Sequence, residues 1–288
     1  MEVLAKAVPI AMLTFVVSSM LAVGLSLTVR EIVTPLRNGK LLTLAVLANF
    51  VLMPLAAILI ARLLQLAQPL GVALLILGVA AGAPFLPKLA GIAEGNLAFA
   101  VGLMVLLMVL TVGYMPIVLP ALLEGVSVDP TKIAKSLVLL MLLPLLIGLG
   151  VRAGAAAVAG KTAPILNKVS SASLTLMIVA MVITNARNIV SLFGTRGVLA
   201  SIAFLLVGVA VGWFLGGSSR DIKSALALGT AQRNIAAALV VGGQNFDDPK
   251  VVVMITVVAI VGLLVLMPIS RQLGKSASQA PVRQPAAT

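Results

Sequence analysis

The sequence predicts an all-α integral membrane protein of about nine transmembrane helices, arranged as an inverted repeat with two broken helices. Three observations carry this. Of 288 residues, 61% are hydrophobic and 10% charged, with a mean hydropathy of +1.22, more apolar than the surface of a water-soluble domain allows. The apolar residues fall in runs of about 20, the length that spans a hydrocarbon core. Two of those runs are interrupted near their middles, where free backbone groups need partners from protein or from a watery cavity.

The first run, about 9 to 29, follows an early Lys6 but lacks a small-residue cleavage site in the usual place, so it reads as a retained span. The second, about 41 to 64, contains "ANFVLMP", in which Asn49 is an isolated amide suited to bonding a neighbouring helix. The third, about 70 to 93, carries Pro84 and Pro87, each lacking an amide hydrogen, which predicts a break near 83 to 88. The fourth, fifth, sixth and seventh are expected at about 97 to 120, 133 to 152, 166 to 186 and 198 to 216. In the eighth, about 222 to 243, "GTAQRN" places Gly229, Thr230, Gln232, Arg233 and Asn234 near the bilayer midplane. The ninth is expected at about 251 to 270. The small, polar, proline-containing tail from 273 to 288 has nothing with which to bury a core and reads as a disordered cytoplasmic tail.

The absence of cysteine and histidine removes disulfides, thiolate chemistry and the usual transition-metal ligands, so neither a metal nor a cofactor is expected. With no carboxylate inside a span either, acid–base and nucleophilic catalysis have little to work with; no catalytic residue is assigned, and the chain is not read as an enzyme. The net charge of +12 is spread over short loops, which points to membrane orientation rather than nucleic acid. Eleven Lys and Arg fall on one side (Arg30, Arg37, Lys40, Arg152, Lys161, Lys168, Arg220, Lys223, Arg271, Lys275, Arg283) and seven on the other (Lys6, Arg62, Lys132, Lys135, Arg187, Arg196, Lys250). The positive-inside rule then puts the C-terminus in the cytoplasm and the N-terminus outside, in a cell inner membrane.

"VREIVTPLRNGKLL", 29 to 42, and "ARNIVSLFGTRGVL", 186 to 199, share Arg, Ile, Val and a later Leu in register; "AEGN", 93 to 96, and "GGQN", 242 to 245, close the third and eighth spans. An offset of five spans turns the second copy upside down, the plan of many secondary transporters, in which paired broken helices mark the binding site. Lys88 and Arg233 are the two basic residues left within spans, without an acidic partner there. A guanidinium fork suits a carboxylate, phosphate or sulfate. The expected substrate-binding set is therefore Arg233, Lys88, Gln232, Asn234, Thr230 and Asn49, with Pro84 and Pro87 shaping the break. The alternatives are that Lys88 snorkels to the interface and that Arg233 clamps freed helix carbonyls.

"MLAVGLSLT", "ANFVLMPLAA", "AEGNLAFAVGLM" and "ALGTAQRN" follow the order and spacing of the bile acid:sodium symporter family, which the chain resembles from residue 8 to 270. The resemblance implies a core (about 41 to 120 and 198 to 270) holding the crossing helices, a panel (about 9 to 29 and 133 to 186) that rocks against it, and substrate bound between them. It also implies divergence at the sodium sites. The family's Ser-Asn pair aligns with Leu86 and Pro87, two hydroxyl ligands of the next helix with Ala100 and Met104, and the crossover glutamate with Leu228. Gln232 and Asn49 remain. In the prolines and the missing sodium ligands the chain is similar to the auxin efflux carriers; the arsenite-exporting relatives fit less well, for want of a cysteine.

These readings converge on a secondary transporter of a small organic anion by alternating access, driven by the membrane potential or linked to protons rather than to sodium. The alternatives are a sodium-dependent bile-acid-type symporter and an anion channel. The expected partners are the anion and the lipid bilayer, not nucleic acid; homodimerisation is left open.

Overall fold

The computed structural model describes residues 2–33, 38–123, 129–184 and 196–278. Among them, eight helices are long and apolar enough to cross a membrane: α1 (Glu2–Ser26, apolar from Ala7), α3 (Gly39–Leu63), α6 (Leu97–Leu122), α7 (Pro130–Gly154), α8 (Ala156–Thr184), α9 (Gly197–Leu215), the discontinuous Arg220–Asn245, and α12 (Pro249–Ser278). Arg220–Asn245 consists of α10 (Arg220–Ala231) and α11 (Ile235–Asn245). The predicted third span is likewise two half-helices, α4 (Gln68–Val79) and α5 (Leu86–Ile92). A short helix, α2 (Val29–Val33), follows α1.

Bilayer-facing surface is visible in the exposure pattern. On α3, Leu47, Val51, Leu55, Leu59 and Leu63 recur every four residues, and all are exposed. Such a leucine stripe is unfavourable in water but costs nothing against acyl chains.

Two packing groups share the chain. The first span, α1, lies mainly against α8 and α7; the remaining helices gather around the two broken ones, with α9 on α10, α3 on α4, and α12 on α4, α9 and α11. In a bilayer, where lipid tails are as apolar as leucine, close approach of backbones replaces hydrophobic driving force. Gly24 and Gly148 do this between α1 and α7: a Cβ on Gly148 would lie 2.6 Å from the Leu21 carbonyl oxygen. Gly208 and Gly212 do it between α9 and α10, where a Cβ on Gly208 would lie 2.6 Å from the Ala231 Cα.

Three boundaries differ from the sequence expectation. The break in the third span covers 80 to 85 rather than 83 to 88, because Pro87 sits in the first turn of α5. There its missing N–H is one that no helix uses, so it starts the helix instead of breaking it. The sixth span begins at Ala156, about ten residues early, with Ala155 alone separating it from α7; Ala159 and Ala163 pack on Leu25 of α1, which holds these added turns helical through Gly160 and Pro164. The last helix reaches Ser278, so 273 to 278 are helical rather than part of a disordered tail. Arg220 on α10 supports this end, donating to the Leu273 carbonyl within the helix and to the orphan Ser276 carbonyl in its last turn. The tail from 279 to 288 and most of the second repeat motif, including Arg187, lie outside the described residues.

Candidate functional site

The two broken spans meet at 80 to 85 and 232 to 234. Asn234 ties the two breaks together: its backbone N–H donates to the Ala80 carbonyl (2.9 Å) and its side-chain amide to the Gly82 carbonyl (3.0 Å). Its Oδ1 also accepts from the Ala237 N–H (3.0 Å), capping α11. From the other side, the Thr111 hydroxyl on α6 bonds both the N–H and the carbonyl of Ala81 (3.0 and 3.1 Å). Ala80, Ala81, the Gly82 carbonyl and Asn234 thus find the partners that hydrocarbon cannot give.

Arg233 fills the middle. It is 1% exposed, and its Nε–H donates to Leu77 O at 2.8 Å. One terminal nitrogen donates to Asn49 Oδ1 (2.8 Å) and Thr230 O (3.0 Å), the other to Gly78 O (2.8 Å) and Asn49 O (3.4 Å). A guanidinium has five N–H donors, and five protein oxygens take them. Leu77 and Gly78 end α4 and Thr230 ends α10, so the cation sits on two helix C-termini, each equivalent to roughly half a negative charge. Those termini supply the negative partner that the sequence reading looked for in an anion. The expected free fork for a substrate is not what the geometry has; the clamp on freed carbonyls is.

The sequence of α3 shows why two of the acceptors are available. Residues Ala48–Leu52 form a π-turn, with the Met53 N–H bonding Ala48 O, and Pro54 follows without an N–H. The carbonyls of Asn49 and Phe50 are left without intrahelical donors. Arg233 takes the first and the Tyr114 hydroxyl the second, with the Tyr114 and Phe50 rings 4.7 Å apart. Asn49 is completed by donating to Ala45 O (3.0 Å) and Thr230 Oγ1 (3.3 Å). Tyr114→Phe is expected to lower stability by about 1 kcal/mol, the cost of leaving the Phe50 carbonyl unpaired, as read from thermal unfolding in detergent.

Of the predicted site residues, Arg233, Asn49, Thr230 and Asn234 are thus brought into one buried cluster. Gln232, Pro84 and Pro87 are half-buried beside it, and the Gln232 side chain makes no hydrogen bond among the described residues. Lys88 is exposed on α5, its ammonium 5.3 Å from the centre of the Phe85 ring, away from the Arg233 cluster. Thr111, Tyr114 and Gly82 belong to the site although sequence reasoning passed over them; Thr111 and Tyr114 are polar breaks in an otherwise apolar fourth span, a readable signal.

A second, apolar group packs near the half-helices. Leu86, Ala100, Met104 and Leu228 are each no more than 2% exposed and belong to one hydrophobic cluster.

Comparison with curated proteins returned no match. A family model does match: the model described as the sodium bile acid symporter family covers residues 12–192, more than half of the chain. Together with the apolar helices of the fold, this identifies a multi-pass membrane transporter, and the chain belongs to the sodium bile acid symporter family.

Proposed function

We propose that the protein carries a small organic anion by alternating access without sodium, and that the Arg233 guanidinium is the resident cation of its crossing. The observation that carries this reading is the cage itself: neutral oxygens from α3, α4 and α10 surround a positive charge, with no carboxylate among its hydrogen-bond partners. A free monovalent cation binding there would tie the same three segments together; here the tie is part of the chain. The apolar cluster of Leu86, Ala100, Met104 and Leu228 supports the same conclusion, since it offers no side-chain oxygen to a second cation.

With its donors engaged, Arg233 acts on the anion through the scaffold, holding the half-helices in place. Gln232, Pro84 and Pro87 at the half-buried rim, with the exposed Lys88 directly after Pro87, are the groups proposed to meet the substrate. We place the protein in a cell inner membrane with its C-terminus inside, from the excess of basic residues on that side. A monoanion leaving such a cell gains about 2.3 kcal/mol per 100 mV of potential, which favours export.

The family's description names a sodium symporter, so sodium coupling is the reading to beat. In proteoliposomes, flux of labelled monocarboxylates and sulfonates is expected to be unchanged when choline replaces sodium, and to respond to a valinomycin-set potassium potential. A tenfold or larger loss in choline would restore sodium coupling. Single-channel currents in place of saturable exchange would make the protein a pore.

A further inference from the structure

A cavity of about 400 Å³, the size of a small-ligand site, opens at the end of the bundle where α3 and α10 begin. One wall is the start of α3, with Lys40, Leu41 and Leu44; the other is the turn from α9 to α10, 216 to 219, with Ile222. All three helices belong to the group around the crossing, and α9 packs on both of the others. The cavity is therefore not a passage between the two packing groups.

Its lining is cationic. Lys40 is exposed, and among the described residues no carboxylate lines the cavity. The acid at the start of α10, Asp221, already accepts from the Asn96 amide (3.0 Å) and from the Ser219 hydroxyl. Lys223 stands beside the turn: a Cβ on Gly216 would lie 2.6 Å from the Lys223 Cα, and the Lys223 ammonium is 5.7 Å from the centre of the Trp213 ring. The surrounding surface is made for hydrocarbon. Lys40 shares its face of α3 with the exposed Leu47 and Val51, two and three turns on, where the stripe that runs to Leu63 begins. Phe214, next to Trp213 on the last turn of α9, is 82% exposed. A tryptophan under a lysine is the amphipathic pairing found where headgroups meet acyl chains.

We propose that this cavity holds the headgroup of an anionic phospholipid, with its phosphodiester on Lys40 and the Ser218 hydroxyl, Lys223 beside it, and its acyl chains along Leu47 and Val51. A soluble anion would meet only the charge; a lipid meets the charge with its phosphate and the stripe with its chains. The cavity lies on the side with the larger share of basic residues, where an anionic leaflet is attracted and basic pockets between spans take lipid headgroups. Seated there, the lipid ties the start of α3 to the turn before α10 from outside, as Arg233 ties α3 to α10 within. The inference goes beyond the transport reading and does not depend on what is carried.

Trp213 is the single tryptophan of the chain, so its fluorescence reports on lipid beside this cavity in the full, unlabelled chain. In mixed vesicles of phosphatidylglycerol and phosphatidylcholine, bromine is placed on the acyl chains of one lipid or of the other, and the two quenching levels give the relative occupancy of each next to Trp213. Phosphatidylglycerol is expected to be enriched about fivefold over its bulk share, from the attraction of one lysine for an anionic headgroup. Lys40→Gln is expected to bring that ratio close to one, and Lys40→Arg, which keeps the charge, to preserve it. Lys161→Gln removes the same charge from an exposed position on α8, on the same side of the membrane but away from the cavity, and is expected to leave the enrichment unchanged. Enrichment that survives Lys40→Gln overturns the proposal. So does a loss with Lys161→Gln as large as with Lys40→Gln, which would mean a diffuse surface charge and no site. If millimolar glycerol phosphate abolishes the enrichment at constant ionic strength, the cavity prefers a soluble anion and the lipid assignment fails.

Discussion

Arg233→Ala is expected to cost about 4 kcal/mol of stability, which is in the range reserved for broken buried networks. The substitution leaves Leu77 O, Gly78 O, Thr230 O and both oxygens of Asn49 without the donor that joins them, at the point where α3, α4 and α10 meet. Water entering the cavity repairs part of the loss, which is why the figure is below the sum of five unpaired acceptors. Arg233→Lys keeps the charge but loses the planar fork; an ammonium reaches three acceptors at most, so about half of the destabilisation should remain. Free guanidinium at millimolar concentration should raise the thermal transition of Arg233→Ala and leave that of the native chain alone. The opposite pattern is just as informative. If Arg233→Ala unfolds at the native temperature but no longer moves an anion, the guanidinium is a substrate ligand and not the tie of the crossing.

Gly82→Ala should be nearly as damaging, at about 3 kcal/mol or more, for two independent reasons. Gly82 has a φ of +80°, a left-handed conformation that costs an L side chain roughly 1 to 2 kcal/mol. Its missing Cβ would also land on the Met108 backbone of α6, with the Met108 Cα at 2.6 Å and the Met104 carbonyl at 2.7 Å. Backbone cannot rotate away as a side chain can, so α6 would have to move and surrender the Thr111 bonds to Ala81. Gly113→Ala on the same α6 is the control. Nothing lies within 4 Å of its Cβ position, and alanine raises helix propensity by up to about 1 kcal/mol. Equal thermal stability of the two variants would mean that the crossing does not lean on α6.

Much of this architecture could be read directly because a bilayer imposes its own ruler. Runs of apolar residues had to become helices, and the two runs with interruptions had to break where backbone could be satisfied. The presence of Arg233, Asn49, Thr230 and Asn234 at one depth was legible for the same reason. Their partners were not. Four of the five acceptors of Arg233 are main-chain carbonyls, those of Leu77, Gly78, Thr230 and Asn49, and a freed main-chain carbonyl leaves no side-chain signature. A search for charge balance in the side chains alone therefore leaves the guanidinium looking solitary, and points to a ligand. Pro87 misled in a related way: the same residue breaks a helix from inside and opens one from its first turn, and here it stands in the first turn of α5. Lys88 follows from that shift, since a helix starting at Leu86 carries it outward past Phe85.

The glycine contacts described for the fold also say where motion belongs. Gly24 and Gly148 lock α1 to α7, and Gly208 and Gly212 lock α9 to α10, so neither pair can slide without collision. Where α1 meets α11, the touching atoms are instead the thioether of Met12 and the bare backbone of Gly243. An unbranched sulfur chain refolds its torsions to stay in contact as its neighbour shifts. Rigid joints within each half and an adaptable seam between them are what the proposed alternating access would require.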